Sequence, residues 1–138
     1  MEPTAHHFAV TVSDLDRAVA FYRDVLELDV LARFSVGGEA FETGVGIDGA
    51  SADFAHMGAG DARVELVEYT PAGDRVPENE LNEPGATHLG LEVDDLDAVC
   101  ESLPDDVDPI APPQTTESGT RIMFVRDPDG TLVELLER

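Results

Sequence analysis

Lysine is missing altogether: the chain's eight basic residues are all arginine, set against thirty acidic ones. The resulting net charge of −22 excludes ordinary nucleic-acid binding, which depends on Lys and Arg neutralising phosphates. It equally disfavours an anionic membrane surface. Cysteine occurs once, so a disulfide framework is excluded. Cys100 falls on the apolar side of an expected helix and reads as a small buried residue. No apolar run is long enough to span a bilayer, and 1–7 has neither a basic start nor an apolar stretch that would make a signal peptide. A cytoplasmic protein without internal disulfides is expected. Like charges at this density repel in dilute buffer, but in molar salt the screening length falls to about 3 Å. The composition therefore reads as adaptation to a salt-rich cytoplasm, as in halophiles.

What is present is ordinary for a folded chain. At 138 residues and 42% hydrophobic content, it makes one compact unit or two half-domains sharing a core.

The sequence also repeats itself. The stretch from His7 to Asp16 (HFAVTVSDLD) aligns without a gap with His88 to Asp97 (HLGLEVDDLD), and Val64–Glu68 (VELVE) echoes Val133–Glu137 (VELLE). Phe8, Val10 and Val12 alternate as a strand. Ser13 is placed to cap a helix whose apolar stripe is Leu15, Ala18, Val19, Tyr22, Val25 and Leu26. Strands are expected near Val30–Val36, Ala52–Met57 and Arg63–Tyr69. The Pro-rich stretch from Pro71 to Pro84 reads as a linker. Leu89, Leu91 and Val93 open the second half, followed by a helix through Leu96, Val99, Cys100 and Leu103. A short strand near Val107–Ile110 and two more at Arg121–Arg126 and Thr131–Leu136 follow, the last two joined by a tight turn at Asp127–Gly130. The expected division is 1–70, a linker over 71–85, and 86–138.

Strand parity gives the functional reading. His7 and His88 face away from the apolar sets of their strands, and Glu65 and Glu134 each lie between apolar neighbours that face the other way. If helices cover the apolar faces and the two sheets curl together, all four side chains converge. Two imidazoles and two carboxylates at matched repeat positions suit a divalent metal. His6 is a rival for His7 but is one residue out of register, so it faces the other way. His56 is a lone strand histidine, read as structural. Glu68 and Glu137 have the outer parity and read as surface acids.

Residues 7–28 (His-x5-Ser-Asp-Leu-Asp-x-Ala-Val-x-Phe-Tyr-Arg-Asp-x-Leu) and 119–137 (Gly119, then Phe124-Val125-Arg126-Asp127-Pro128-Asp129-Gly130-x3-Glu134-Leu135) closely resemble the vicinal oxygen chelate superfamily. That group includes glyoxalase I, methylmalonyl-CoA epimerase, ring-cleaving dioxygenases, and the bleomycin and fosfomycin resistance proteins. The resemblance implies an α+β fold: two tandem βαβββ modules forming a cupped, mixed, mostly antiparallel sheet with helices outside. It also implies a homodimer. Carried over by position, the metal ligands are His7, Glu65, His88 and Glu134. Two His with two Glu resemble glyoxalase I and the epimerase more than the dioxygenases, which use one carboxylate, or the bleomycin-binding members, which generally lack the ligands.

The activity so implied is that of a lyase or isomerase acting on a small oxo-compound or thioester. A nickel, cobalt, manganese, zinc or iron ion would stabilise an enediolate or enolate, and Glu134, with Glu65 as its counterpart, would move the proton. Arg63 or Arg121 would grip a substrate carboxylate or phosphate. The alternatives are an iron(II) ring-cleaving dioxygenase and a bleomycin-resistance-like binding protein. Two departures stand out. Thr11 occupies the position where glyoxalase I relatives carry a glutathione-binding Arg, and Glu27 replaces the usual helix-ending Gly.

Overall fold

The computed structural model describes residues 1–138 and divides into two units, Met1–Val76 and Pro77–Arg138. In the first unit the chain runs β1 (Phe8–Thr11), α1 (Leu15–Ala20, continued by a π-helical turn over Phe21–Val25), β2 (Asp29–Val36), α2 (Glu39–Val45), β3 (Ser51–Ala59) and β4 (Ala62–Thr70). In the second it runs β5 (His88–Glu92), α3 (Leu96–Ser102), β6 (Gln114–Thr115), β7 (Arg121–Arg126) and β8 (Leu132–Glu137). The fold is α+β, two tandem modules each built on a four-stranded mixed sheet, with orders β1-β4-β3-β2 and β5-β8-β7-β6. β1 pairs with β4, and β5 with β8, in parallel; the remaining pairings are antiparallel.

In each unit the strand alternation buries one face of the sheet under a helix. Val10, Val64, Leu66, Ala55 and Met57 are buried in the first unit beside Leu15, Ala18, Val19 and Tyr22 of the α1 segment. Met123, Val125, Val133 and Leu135 are buried in the second with Leu96 of α3. The helix starts are built alike. Asp14, rather than Ser13, caps α1 by accepting from Arg17 N at 3.0 Å, and Asp95 caps α3 by accepting from Ala98 N at 3.0 Å.

Glu68 and Glu137 are not idle surface acids. Glu68 Oε1 accepts from Leu15 N at 3.2 Å and Glu137 Oε2 from Leu96 N at 2.7 Å, each tying the last strand of its sheet to its helix. A carboxylate there also meets the positive end of the helix dipole.

A helix that the sequence reading does not place, Glu39–Val45, lies between β2 and β3, and other local expectations are corrected. The segment 107–110 forms no strand; the edge strand is β6, after the last proline of its run. Cys100 is only half-buried. In the second unit Arg126 donates to the carbonyls of Asn79 and Gly130 at 2.8 and 2.7 Å. The Asp127–Gly130 turn forms as expected. Gly130 has φ 91°, and the buried Asp127 carboxylate accepts from the Asp129 and Thr131 amides. Glu27, in the usual glycine place, takes a left-handed φ of 59°, which costs a residue with a Cβ about 1–2 kcal/mol.

Candidate functional site

Register, not proximity in sequence, assembles the site residues within each unit. In the first sheet Ala9 of β1 and His56 of β3 flank Glu65 of β4. In the second, Gly90 of β5 and Phe124 of β7 flank Glu134 of β8. Small residues at 9 and 90 leave open the space beside each carboxylate. His7 and His88 stand two residues before these small residues, so they lie on the same face as the Glu. Val64 and Leu66 in one sheet, and Val133 and Leu135 in the other, point into the buried layer beneath the helices.

Each histidine lies beside a glutamate of its own sheet. His7 Nε2 lies 3.5 Å from Glu65 Oε1, and His88 Nε2 lies 3.2 Å from Glu134 Oε2. The histidine side chains are 34% and 39% exposed and the glutamates 13% and 20%, so each pair is sheltered yet reachable. Each unit by itself brings together one imidazole and one carboxylate from the four-residue set. No group of three or more His, Cys, Asp or Glu side chains is arranged to hold an ion.

The donor spacing within each pair can be tested against a divalent ion. Two N or O donors bound about 2.1 Å from one ion stand about 3.0 Å apart at a right angle and about 3.4 Å apart at the tetrahedral angle. The 3.2 Å separation falls within that range and the 3.5 Å one lies just beyond its upper end. A neutral imidazole and a carboxylate are also the right donors for a borderline divalent metal. The residues present fit such an ion.

His56 was read as structural, but it belongs to this site. Its Nε2 lies 2.7 Å from Glu65 Oε2, the length of a charge-assisted hydrogen bond in which the imidazole donates. Its side chain is only 13% exposed, and Phe34 packs edge-on against its ring at 5.0 Å. The sequence held a signal for it. Gly60-Asp61 is a two-residue link between β3 and β4, and counting outward from the Ala59–Ala62 pair sets His56 opposite Glu65.

His6 is at the site too, as a neighbour of His7. Its Nδ1 lies 2.8 Å from His7 Nδ1, and Arg63 NH1 lies 3.2 Å from its Nε2. Arg63 therefore sits on the Glu65 face and supports the histidines.

Arg121 does not join this group. In β7, Met123 and Val125 of its own parity are buried on the helix face, whereas Phe124 lies across from Glu134. Arg121 instead makes a two-pronged pair with Asp97 of α3, at 2.7 and 3.0 Å, and approaches Glu137 at 3.5 Å. The hydrogen bond with Arg121, and then its positive charge, hold the Asp97 carboxyl below its ordinary range. An arginine so engaged on the helix side is not placed to grip a substrate beside Glu134.

An aromatic group extends the first-sheet site. Phe34 stacks on Phe54 at 5.0 Å, Phe41 of α2 meets Phe54 edge-on at 6.3 Å, and Phe41 stacks on Tyr69 at 6.2 Å. Phe54, Tyr69 and Glu65 share one face by register. A carboxylate-imidazole cluster bordered by rings suits a small ligand with one polar and one apolar part.

A family profile described as the glyoxalase/bleomycin resistance protein/dioxygenase superfamily matches residues 4–135. A 2-epi-5-epi-valiolone epimerase from Actinomyces sp. is 32% identical over 143 aligned positions, which span 95% of this chain and 77% of the relative. A glyoxalase family protein from Bacillus cereus superposes with a TM-score of 0.85 at 22% identity, covering 96% of this chain and 92% of that one. The trypanothione-dependent glyoxalase I of Leishmania major superposes with a TM-score of 0.62 at 24% identity, covering 95% and 84%.

Proposed function

Because the chain belongs to the glyoxalase/bleomycin resistance protein/dioxygenase superfamily, we propose that it is a metal-dependent isomerase or lyase acting next to a carbonyl. The observation that carries this reading is the matched pair of His–Glu contacts, His7 with Glu65 and His88 with Glu134, each at a separation close to that of two donors sharing an ion. In this reading His7, Glu65, His88 and Glu134 are donors to a divalent cation: nickel, cobalt, manganese, zinc or iron. When bound, such a cation supplies Lewis acidity that polarises a substrate carbonyl and acidifies the neighbouring C–H bond.

The proton transfer falls to the protein. Glu134 accepts the proton: the C–H bond breaks, an O–H bond forms on the carboxylate, and the electron pair moves into the adjacent carbonyl. Delivery of a proton to the other face of the carbon, for which Glu65 is the counterpart acid, gives an epimerase, and return of the proton by Glu134 to the neighbouring carbon gives an isomerase. The epimerase activity in the Actinomyces relative's name favours the first outcome. Arg63, on the face of Glu65, is assigned to an anionic group of the substrate. The rings of Phe34, Phe54 and Phe41 are assigned to its apolar part.

The direct test is elemental analysis of purified protein, followed by incubation in deuterium oxide with candidate substrates. Suitable candidates are 2-epi-5-epi-valiolone, 2-methyl-acyl thioesters and α-oxoaldehyde–thiol adducts. About one divalent ion per chain, and metal-dependent deuterium uptake at the carbon beside the carbonyl, are expected with at least one of them. Protein that carries and accepts no stoichiometric metal, or that exchanges equally well after chelation, overturns the reading.

We assign the chain to a homodimer. β2 is the edge of its sheet, all eight of its residues are exposed, and they include Val30, Leu31, Phe34 and Val36. Such an edge invites a second strand. Light scattering should give twice the chain mass, and Leu31→Asp should roughly halve it. A wild-type monomer at micromolar concentration would rule the dimer out.

A further inference from the structure

The two His–Glu pairs are not equivalent, and the difference lies one strand away from each. Glu65 has a hydrogen-bonding partner opposite it on β3, His56, whereas the same register position opposite Glu134 on β7 holds Phe124. His56 Nε2 takes one oxygen of Glu65, Oε2, at 2.7 Å, and leaves Oε1 facing His7 at 3.5 Å. The first distance is that of a charge-assisted hydrogen bond; the second is longer than one and close to the spacing of two donors at the tetrahedral angle. Phe124 offers Glu134 no hydrogen bond. It packs instead on His88, with ring centroids 5.3 Å apart and planes at 76°. Glu134 therefore keeps an oxygen without a protein donor, and its polar side-chain partner is His88 at Oε2.

The geometry points to His56 as a positioning residue: it orients Glu65 as a fixed metal donor. This role rests on the metal site proposed above. A donor outside the ligand set that hydrogen-bonds a ligating carboxylate fixes its rotamer, and its loss typically lowers metal affinity about 10–100-fold. Phe34 stops the His56 ring from turning away, since it packs edge-on at 5.0 Å. The repeat supplies the control. Phenylalanine is what the second unit itself carries at this position, so His56→Phe is a replacement the fold already tolerates across from a glutamate. His56→Gln keeps an N–H donor near the place of Nε2.

The test is cobalt(II) titration of the metal-free protein, followed by calorimetry and by the visible absorption of bound cobalt, with circular dichroism to verify folding. His56→Phe should bind cobalt about 10–100-fold more weakly, with an altered visible band, and His56→Gln should recover most of the affinity and the wild-type band. Phe124→His, which offers Glu134 the same donor, should leave cobalt affinity equal or tighter but slow deuterium exchange into substrate. Equal affinities and identical spectra for wild type and His56→Phe would remove the positioning role and leave the metal site standing. So would failure of His56→Gln to recover either. Wild-type protein that binds no cobalt would overturn the metal site, and the positioning role with it.

Discussion

Glu134→Gln should slow substrate proton exchange by about 10²–10⁴-fold, the usual worth of a positioned general base, with far less effect on the fold. Glutamine matches the shape of glutamate and keeps one oxygen able to coordinate, but it cannot accept a proton. Glu134 is 20% exposed and contacts His88 at 3.2 Å, so the substitution removes no buried ion pair. Glu65→Gln is the comparison. Its carbonyl oxygen can still accept from His56, and because Glu65 is held as a donor, exchange should fall less than about tenfold once the metal is saturated. The measurement is the rate of deuterium uptake at saturating metal, with bound metal quantified in the same samples. Equal losses in the two variants, or a larger loss for Glu65→Gln, would refute the assignment of the base to Glu134.

How much of this the sequence could disclose depends on the range of each interaction. Parity is local, so His7, His88, Glu65 and Glu134 could be assigned to faces before any register was known, and the repeat told which belonged together. Helix starts are equally local, although two adjacent cap formers, Ser13 and Asp14, compete at the first and the carboxylate takes it. Cross-strand partners are not local. His56 acquires its role only from the β3–β4 register, and Glu68 and Glu137 from chain segments more than forty positions away. α2 escaped because it is short, exposed and bracketed by Gly38 and Gly46, both at positive φ, so that punctuation outweighed a periodicity carried chiefly by Phe41. Arg121 was misplaced because its charge was weighed ahead of its parity. Read as the others were, it belongs with Met123 and Val125 on the helix side.

Dilute buffer should unfold the protein, and molar potassium chloride should restore it. Eight arginines cannot neutralise thirty carboxylates one for one, so most acids have no arginine partner. Two like charges about 10 Å apart in water repel by about 0.4 kcal/mol, and each acid has several such neighbours on so small a surface. Summed over the chain, that repulsion reaches the roughly 5–15 kcal/mol by which folded proteins exceed their unfolded states. Opposing it are ion pairs such as Arg33–Asp16, Arg23–Asp24, Arg138–Glu92 and Arg121–Asp97. They are exposed, contribute little, and weaken in the same salt that relieves the repulsion. The repulsive contribution therefore decides the sign, and stability should rise with salt.

Far-ultraviolet circular dichroism across a potassium chloride series should show strand and helix signal appearing cooperatively between low and molar concentration. Sucrose at equal osmolality should substitute only in part, because it is excluded from the protein surface but does not screen charge. Changing Asp105, Asp106 and Asp108, all exposed in the Pro-rich stretch, together to Asn should lower the salt concentration at the midpoint. An unchanged spectrum and melting temperature from dilute to molar salt would show that the acidic surface serves solubility alone.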